Sequence, residues 1–536
     1  MKICIAQINS IVGDLDYNSS LISRAAKEAL NKNVSLLITP ELSLTGYPPE
    51  DLLLNNSFLI KVNEKLLSLA KKNPKITIIV GHPLLQNKKL FNAASVLQNG
   101  KVFKSYKKQI LPNYGVFDEK RYFFPGDSNL IFNQGKMKIG ILICEDIWSD
   151  LPIYNLVKSN VDIVVCINAS PYEIDKNYSR IKNIQRKIKG SNTKLIYVNA
   201  VGGQDDLLFD GGSFILDPNL GLVLSLPQFK TINKIVDLKL LTQNEVKNNL
   251  SGINILFDGL VLALKDYLQK NSIKNVFLGL SGGIDSAVVL CIAAKAVNKS
   301  DIQTIMMPTK FTSKISLDDA KKLAKNIGVK YTIKRIDSLN KKINKMFEKE
   351  FLGYEIDTTE ENIQARIRGL LLMTYANKFK GVVLATSNKS EIAVGYATLY
   401  GDMVGGFSVL KDVPKTLVYK LAKYINENEI IIPSRIITRA PSAELKDNQT
   451  DQDSLPDYET LDGIIDLYLE KGNSPAAIIK KGYPALQVKK VIKLIDSSEF
   501  KRRQSAPGPK VTNKAFGKER RYPITNNFKI LSKGNT

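Results

Sequence analysis

Cys144 stands in the string IGILICEDIW, where an apolar run ends and two acids follow. The other cysteines, Cys4, Cys166 and Cys291, lie inside apolar runs and read as buried packing residues. A thiol that attacks a carbonyl needs a base to take its proton and a cation to hold the oxyanion that forms. Glu41, in LLITPELSLTGYP, and the pair Lys107 and Lys108, in SYKKQILPNYGVFDEKRYF, supply those residue types. A second constellation is LGLSGGIDSAVVL, Leu278 to Leu290. Its two glycines let the chain turn sharply and expose backbone N–H groups, Ser281 and Ser286 add hydroxyls, and the following helix directs its positive end into the turn. Such a nest binds phosphate without the lysine of the usual phosphate loop. Ile284 and Asp285 stand where that lysine would be. An aspartate repels phosphate unless a cation lies between them, so Asp285 reads as a Mg²⁺ ligand.

The elements that must position these groups fall into two sets. Candidate strands 2–8, 35–39, 76–81, 138–143, 162–168 and 194–201, with helical patterns at 19–32 and 63–73, predict layered sheets with helices outside. From about Ser251 the pattern changes. A helix over 253–271 leads to strand 275–280, helix 285–297, strand 302–307, helix 317–328, and strands 331–336 and 381–386. Alternating β and α elements predict a parallel, doubly wound sheet with its ligands at the carboxyl ends of the strands. The whole is an α/β protein of two domains, 1–248 and 249–536, and 536 residues exceed what one core holds.

A hydrophobic content of 44% with 24% charged residues is ordinary for a globular enzyme. No apolar run approaches the roughly 20 residues that span a bilayer. The N-terminus reads as a first strand without a signal-peptide pattern, so the expected location is cytoplasmic. Four scattered cysteines argue against a disulfide framework and against structural zinc. The net charge of +24 points toward nucleic acid, but only 13 of the 76 basic residues are Arg, and the lysines are spread along the chain as on a solvated surface. The exception is the tail from Lys501, where ten Lys or Arg face one acid, Glu519; that excess either meets phosphates or is solvated.

The string SGGIDS between a strand and a helix resembles the loop of the ATP-pyrophosphatases, which split ATP between the α- and β-phosphates on an adenine nucleotide alpha hydrolase-like sheet. With ENIQARIRG (361–369), LATSNKSEIAVGY (384–396), LYGD (399–402), DVPKTLVYKLA (412–422) and SRIITRAPSAEL (434–445), the second half resembles the NAD⁺ synthetases. The tail KRRQSAPGPKVTNKAFGKERRYPIT (501–525) is similar to that of their glutamine-dependent branch. The resemblance implies ATP contacts at Gly279, Leu280, Ser281, Gly282, Gly283, Ile284, Asp285, Ser286, Thr386, Lys415 and Ser442. It implies deamido-NAD⁺ contacts at Asn362, Arg366, Glu391, Asp402 and Lys501, with Mg²⁺ on Asp285 and Glu391. Ammonia-using relatives often carry a lysine where Leu399 stands, so another cation must replace it here, and the basic tail is a candidate.

The first half resembles the nitrilase–amidase family, whose Glu-Lys-Cys triad sits on an αββα sandwich. The implied triad is Glu41, Lys108 and Cys144, with Glu119 as a supporting acid. Lys108 is selected over Lys107 because the family's lysine is followed by two residues and Leu-Pro, as in Gln109-Ile110-Leu111-Pro112. The family commonly has histidine where Ile110 stands. Tyr114, Ser170 and Lys176 match glutamine-holding positions, and His82 is expected to be a structural residue at a strand end. The two halves together imply amidation of deamido-NAD⁺ with ATP as co-substrate and glutamine as nitrogen donor. No nucleic-acid partner is expected, and the resemblance implies a homo-oligomer. The rival readings are an ATP-pyrophosphatase acting on tRNA and a non-catalytic nucleic-acid-binding protein on an enzyme scaffold.

Overall fold

Side-chain alternation along the first strand decides the layers of the first unit. In β1 (Lys2–Gln7), Ile3 and Ile5 join one buried cluster while Cys4 and Ala6 join another, because successive strand residues point to opposite faces. The computed structural model describes residues 1–242, 252–442, 444–446, 449–526 and 528. Within it the chain divides into two compact units, Met1–Ile255 and Leu256–Thr536. The boundary expected at 248 lies outside the described residues.

In the first unit, β1 is followed by α1 (Leu15–Leu30), β2 (Leu36–Ile38) and α2 (Asn56–Lys72). Next come β3 (Thr77–Gln86), β4 (Lys89–Gln98), β5 (Lys101–Lys107), β6 (Leu130–Gln134), β7 (Met137–Ile143) and α3 (Asp150–Lys158). Then follow β8 (Ile163–Asn168), α4 (Lys176–Ile188), β9 (Lys194–Asn199), β10 (Val201–Gln204), β11 (Leu207–Asp210), β12 (Phe214–Asp217), β13 (Gly221–Ser225) and β14 (Ile232–Asp237). Two six-stranded sheets form, ordered β14-β1-β2-β3-β4-β5 and β13-β12-β9-β8-β7-β6, while β10 and β11 make a separate ribbon. Ile3, Ile38 and Ile79 of one sheet share a dry core with Ile141, Val165 and Ile196 of the other. On the outer side of the first sheet, Cys4, Leu37 and Val80 pack with Ile22 of α1 and Leu66 of α2. The result is the expected αββα layering. The expected strand 76–81 runs on to Gln86, and the antiparallel strands β4, β5, β6 and β10 to β14 were not among the predicted elements.

The second unit opens with α5 (Ile253–Lys270), β15 (Asn275–Gly279), α6 (Ile284–Ala296), β16 (Ile302–Met306), α7 (Lys314–Ile327) and β17 (Lys330–Ile333). It continues through α8 (Asp337–Met346), α9 (Thr358–Lys378), β18 (Gly381–Ala385), α10 (Lys389–Val394), β19 (Phe407–Ser408) and α11 (Lys415–Ile425). Its sheet is parallel throughout, ordered β17-β16-β15-β18-β19. The chain winds outward from β15 in one direction, then returns to place β18 on the other side. The switch point between β15 and β18 is where such sheets hold ligands. Ten of the thirteen residues of α6 are buried, so the helix behind the glycine turn is fixed on almost every face. Helices Tyr458–Ile465 and Ala485–Ser497 form a smaller apolar cluster with α10. No helix among the described residues is long and apolar enough to cross a membrane.

Candidate functional sites

Each residue of the expected triad follows the carboxyl end of a strand: Glu41 after β2, Lys108 after β5 and Cys144 after β7. The Lys108 ammonium donates to Glu41 Oε1 at 2.8 Å and to Glu119 Oε1 at 2.8 Å, and all three side chains are almost wholly buried. Asn92 donates to Glu41 Oε1 at 2.7 Å, the Ala169 N–H donates to Glu41 Oε2 at 2.9 Å, and Tyr47 donates to Glu119 Oε1 at 3.0 Å. Close approach of backbone sets the Glu41 turn. A Cβ on Gly81 would lie 2.4 Å from Leu42 N and 2.6 Å from Pro40 O, so only glycine fits there. Cys144 adopts φ +44° at the start of a short 3₁₀ turn, a conformation few non-glycine residues take.

Charge is tightly constrained in this space. Burial raises the Cys144 thiol well above its ordinary range, with Glu41 adding to the rise and Lys108 opposing it. The resting group is therefore a thiol. Burial opposes charge on Lys108, but Glu119 and Glu41 outweigh it and hold the ammonium protonated. Burial also pushes Glu119 up to about 7 against the pull of Lys108.

Asp146, unassigned by the sequence reading, ties these pieces together. Its Oδ1 accepts the Gln109 and Ile110 N–H groups at 3.0 and 2.8 Å, and its Oδ2 accepts Tyr106 OH at 2.8 Å and the Ile143 N–H at 3.0 Å. One carboxylate thus joins the segment after Lys108 to the residue before Cys144. Tyr114 donates to both oxygens of Glu145, the residue after Cys144, at 2.9 and 3.0 Å. Ser170 is buried, its N–H donating to Asn199 and its hydroxyl accepting from Arg180 at 3.2 Å. Lys176 opens α4 and pairs with Glu173 at 2.9 Å. His82 lies in the middle of β3, not at a strand end as expected. Its Nδ1 donates to the Pro83 carbonyl, which leaves Nε2 to accept from Ser95.

In the second unit the turn after β15 has the expected form. Gly282 has φ +82°, and a Cβ there would meet Ser316 O at 2.6 Å. The Gly283 N–H donates to Ser281 Oγ, the hydroxyls of Ser281 and Ser286 lie 3.1 Å apart, and α6 starts at Ile284. Asp285 Oδ2 meets the buried Lys415 ammonium at 2.5 Å, Glu391 Oε1 meets it at 3.1 Å, and Asp285 Oδ1 accepts from Asn388 at 2.9 Å. Burial would lower Lys415, but Asp285 and Glu391 outweigh it and hold it protonated. Two cavities adjoin at the switch point and share Ser281, Thr386, Asp402 and Ser442. One is polar and lined by Gly282 to Ser286, Glu391 and Lys415. The other reaches past Gly279 and Leu280 to Met307, Leu372 and Leu384. Arg368, which the sequence reading quoted but left without a role, borders it and donates to the Met307 carbonyl. Among the described residues no cluster of three or more His, Cys, Asp or Glu side chains gathers for a metal. Asp285 and Glu391 both line the polar cavity and both meet Lys415, and theirs are the oxygens there that could hold an ion completing its shell with phosphate and water, as Mg²⁺ does.

Of the residues expected to meet the dinucleotide, Asp402 lines both cavities and Glu391 lines the polar one. The other three hold one loop. Asn362 accepts from the Thr398 hydroxyl at 2.6 Å, Arg366 donates to the Leu399 carbonyl at 3.3 Å, and Lys501 donates to the carbonyls of Gly395 and Ala397, each at 2.8 Å. Asp402 itself accepts the Thr398 N–H at 2.7 Å. The basic tail is not simply a solvated run. Arg502 donates to the carbonyls of Ala393 and Ile495, Lys510 is buried and donates to the Thr512 carbonyl, and Arg520 meets Glu499. An Arg or Lys in such a stretch reads as exposed in sequence because its carbonyl and carboxylate partners are distant in the chain.

Two family models match the chain: Carbon-nitrogen hydrolase over residues 2–245 and NAD synthase over residues 256–505. The glutamine-dependent NAD(+) synthetase of Acinetobacter baylyi is 45% identical over 98% of this chain and 99% of its own length. That of Aquifex aeolicus is 40% identical over 98% of this chain and its own full length. Among solved structures, the glutamine-dependent NAD+ synthetase of Acinetobacter baumannii in complex with adenosine diphosphate matches with a TM-score of 0.80 and 42% identity over 98% of each chain. A glutamine-dependent NAD(+) synthetase from Cytophaga hutchinsonii matches in fold with a TM-score of 0.86 at 22% identity, over 98% of each chain.

Proposed function

The chain belongs to the glutamine-dependent NAD(+) synthetases, and from that membership we propose which of its residues carry each half of the family reaction. That reaction is the ATP-dependent amidation of deamido-NAD⁺ to NAD⁺ with nitrogen taken from glutamine. In the first unit Glu41 accepts the Cys144 proton as sulfur bonds to the glutamine amide carbon. A general base is required there because burial keeps the resting thiol protonated. Lys108 and a backbone N–H hold the oxyanion, Glu41 passes the proton on to the amide nitrogen as the C–N bond breaks, and ammonia leaves. Water then hydrolyses the thioester to glutamate: Glu41 takes the water's proton, the C–S bond breaks, and Glu41 returns the proton to sulfur to restore the thiol. Glu119 shares the Lys108 ammonium and keeps it between the two acids. Tyr114, Ser170 and Lys176 hold the glutamine substrate.

In the second unit the polar cavity takes the phosphates of ATP on the Ser281–Ser286 turn, and the apolar cavity beside Gly279, Leu280 and Met307 takes the base. Thr386 and Ser442, common to both, stand between those parts. Asp285 and Glu391 would hold Mg²⁺, which when bound supplies charge neutralisation to the departing pyrophosphate. A carboxylate oxygen of the nicotinate attacks the α-phosphorus and pyrophosphate leaves. Ammonia then attacks the acyl carbon and AMP leaves. Lys415 keeps Asp285 and Glu391 from repelling one another and presents its charge to the phosphates. Asn362, Arg366, Asp402 and Lys501 shape the 395–402 loop against deamido-NAD⁺. The copies of the chain associate with one another, as the family resemblance implies.

The observation that carries the reading is one chain holding a Glu-Lys-Cys constellation in its first unit and a strand–SGGIDS–helix cavity in its second. Supplying ATP, Mg²⁺, glutamine and deamido-NAD⁺ tests it. The expected products are NAD⁺, AMP, pyrophosphate and glutamate, and stoichiometric ADP with phosphate would reject the role of the loop.

A further inference from the structure

The four residues Asn388 to Glu391 face two ways. Asn388 donates to Asp285 at 2.9 Å and Glu391 meets Lys415 at 3.1 Å, so both hold residues that line the polar cavity. Lys389, between them, points away and is buried, with 1% of its side chain exposed. Its ammonium meets Asp412 at 3.0 Å, Glu470 at 2.6 Å, the Thr512 hydroxyl at 2.5 Å and the Lys514 carbonyl at 3.0 Å. Two of these four partners come from the C-terminal segment. That segment is itself clamped. The Ser408 N–H donates to the Pro507 carbonyl at 2.8 Å, and Asp412 Oδ2 accepts the Val511 and Thr512 N–H groups, each at 2.8 Å. Val511 and Thr512 are buried.

We propose that residues 507–514 are a strap that positions the Asn388–Glu391 turn through Lys389, and so sets the carboxylates of the synthetase site. This rests on the reading of that site given above. A buried ammonium takes the geometry its acceptors dictate, because leaving one of its protons unpaired is costly. Thr512 is the hinge of the arrangement: its oxygen accepts from Lys389 while its proton goes to Asp412, at 2.9–3.0 Å. Nothing in the strap's contacts requires substrate. Its effect is on turnover, where small displacements of catalytic groups are costly.

The test compares Thr512→Val, which removes the hydroxyl, with Thr512→Ser, which keeps it. Two reactions are read: ammonia-driven NAD⁺ synthesis, and deamido-NAD⁺-dependent exchange of labelled pyrophosphate into ATP. Thr512→Val should lower kcat in both by about tenfold or more, with KM for deamido-NAD⁺ changed by less than about threefold, while Thr512→Ser stays within about twofold of the parent. Parental kcat in Thr512→Val, or a rise confined to KM, would overturn the proposal. Glu470→Gln, which removes one charge from the cluster and keeps its shape, serves if Thr512→Val does not fold. It should lower the exchange rate about threefold, and no change would count against the strap. Absence of exchange in the parent protein would instead refute the assignment of the site itself.

Discussion

A thiol sealed from water is a weak nucleophile until a neighbour takes its proton, and Cys144 is buried beside an acid that can do so. Cys144, Glu41 and Lys108 stood out in sequence because the chemistry we propose for them restricts residue type. Their supports did not. Asp146 is the second of two adjacent acids, and only the fold reveals that it accepts four donors from two segments. Gly81 and Asn92 are equally silent, since their roles depend on backbone and carboxylate atoms brought in from Pro40 to Leu42. Asp146→Asn should therefore be costly although it keeps the shape. Its amide NH₂ must face N–H donors, so we expect a loss of about 2–4 kcal/mol in stability of the first unit, measured by urea unfolding. Glutamine hydrolysis should fall by about tenfold or more in kcat in the folded fraction, while ammonia-driven synthesis persists.

At the scale of elements, the strands that positioned the site were readable where they were apolar and parallel, as in β1, β7, β8 and β15. The β4–β5 hairpin escaped because its outer strand, KVFKSYK, is mostly polar and has one buried residue, and the β10 strand VGGQ carries two glycines. β3 makes a prediction through the protein's one histidine. Burial lowers His82 from 6.5 to about 4, so its stabilising contribution is present above 6.5 and is lost as pH falls through about 4. Over that window the first unit should lose about 3 kcal/mol from this residue. His82→Gln should flatten the acid limb of a plot of unfolding midpoint against pH; an unchanged limb would assign it to other groups. The β15–α6 turn makes another. Asp285→Asn weakens an oxygen ligand and frees Lys415 of one partner, so synthesis should fall by about a hundredfold or more with either nitrogen source. Near-parental synthesis would remove Asp285 from the phosphate site.

For the molecule as a whole, charge was the least reliable guide. A surplus of 24 positive charges suggests a polyanion partner, yet Arg180, Arg502, Lys389, Lys415 and Lys510 are buried on internal acceptors. Sequence shows the number of cations but not their partners. What sequence did carry was the pairing of two domains on one chain, a Carbon-nitrogen hydrolase half and an NAD synthase half. Ammonia is mostly protonated near neutral pH and then cannot attack, which gives a reason to release it on the same chain that consumes it. The most direct test of that pairing is Cys144→Ala, assayed for NAD⁺ formation first with glutamine and then with ammonium chloride at mildly alkaline pH. Glutamine should support no synthesis above background, and ammonium should restore it to near the parental ammonia-driven rate. Glutamine-dependent synthesis by the variant, or a folded variant that ammonia fails to rescue, would contradict the account.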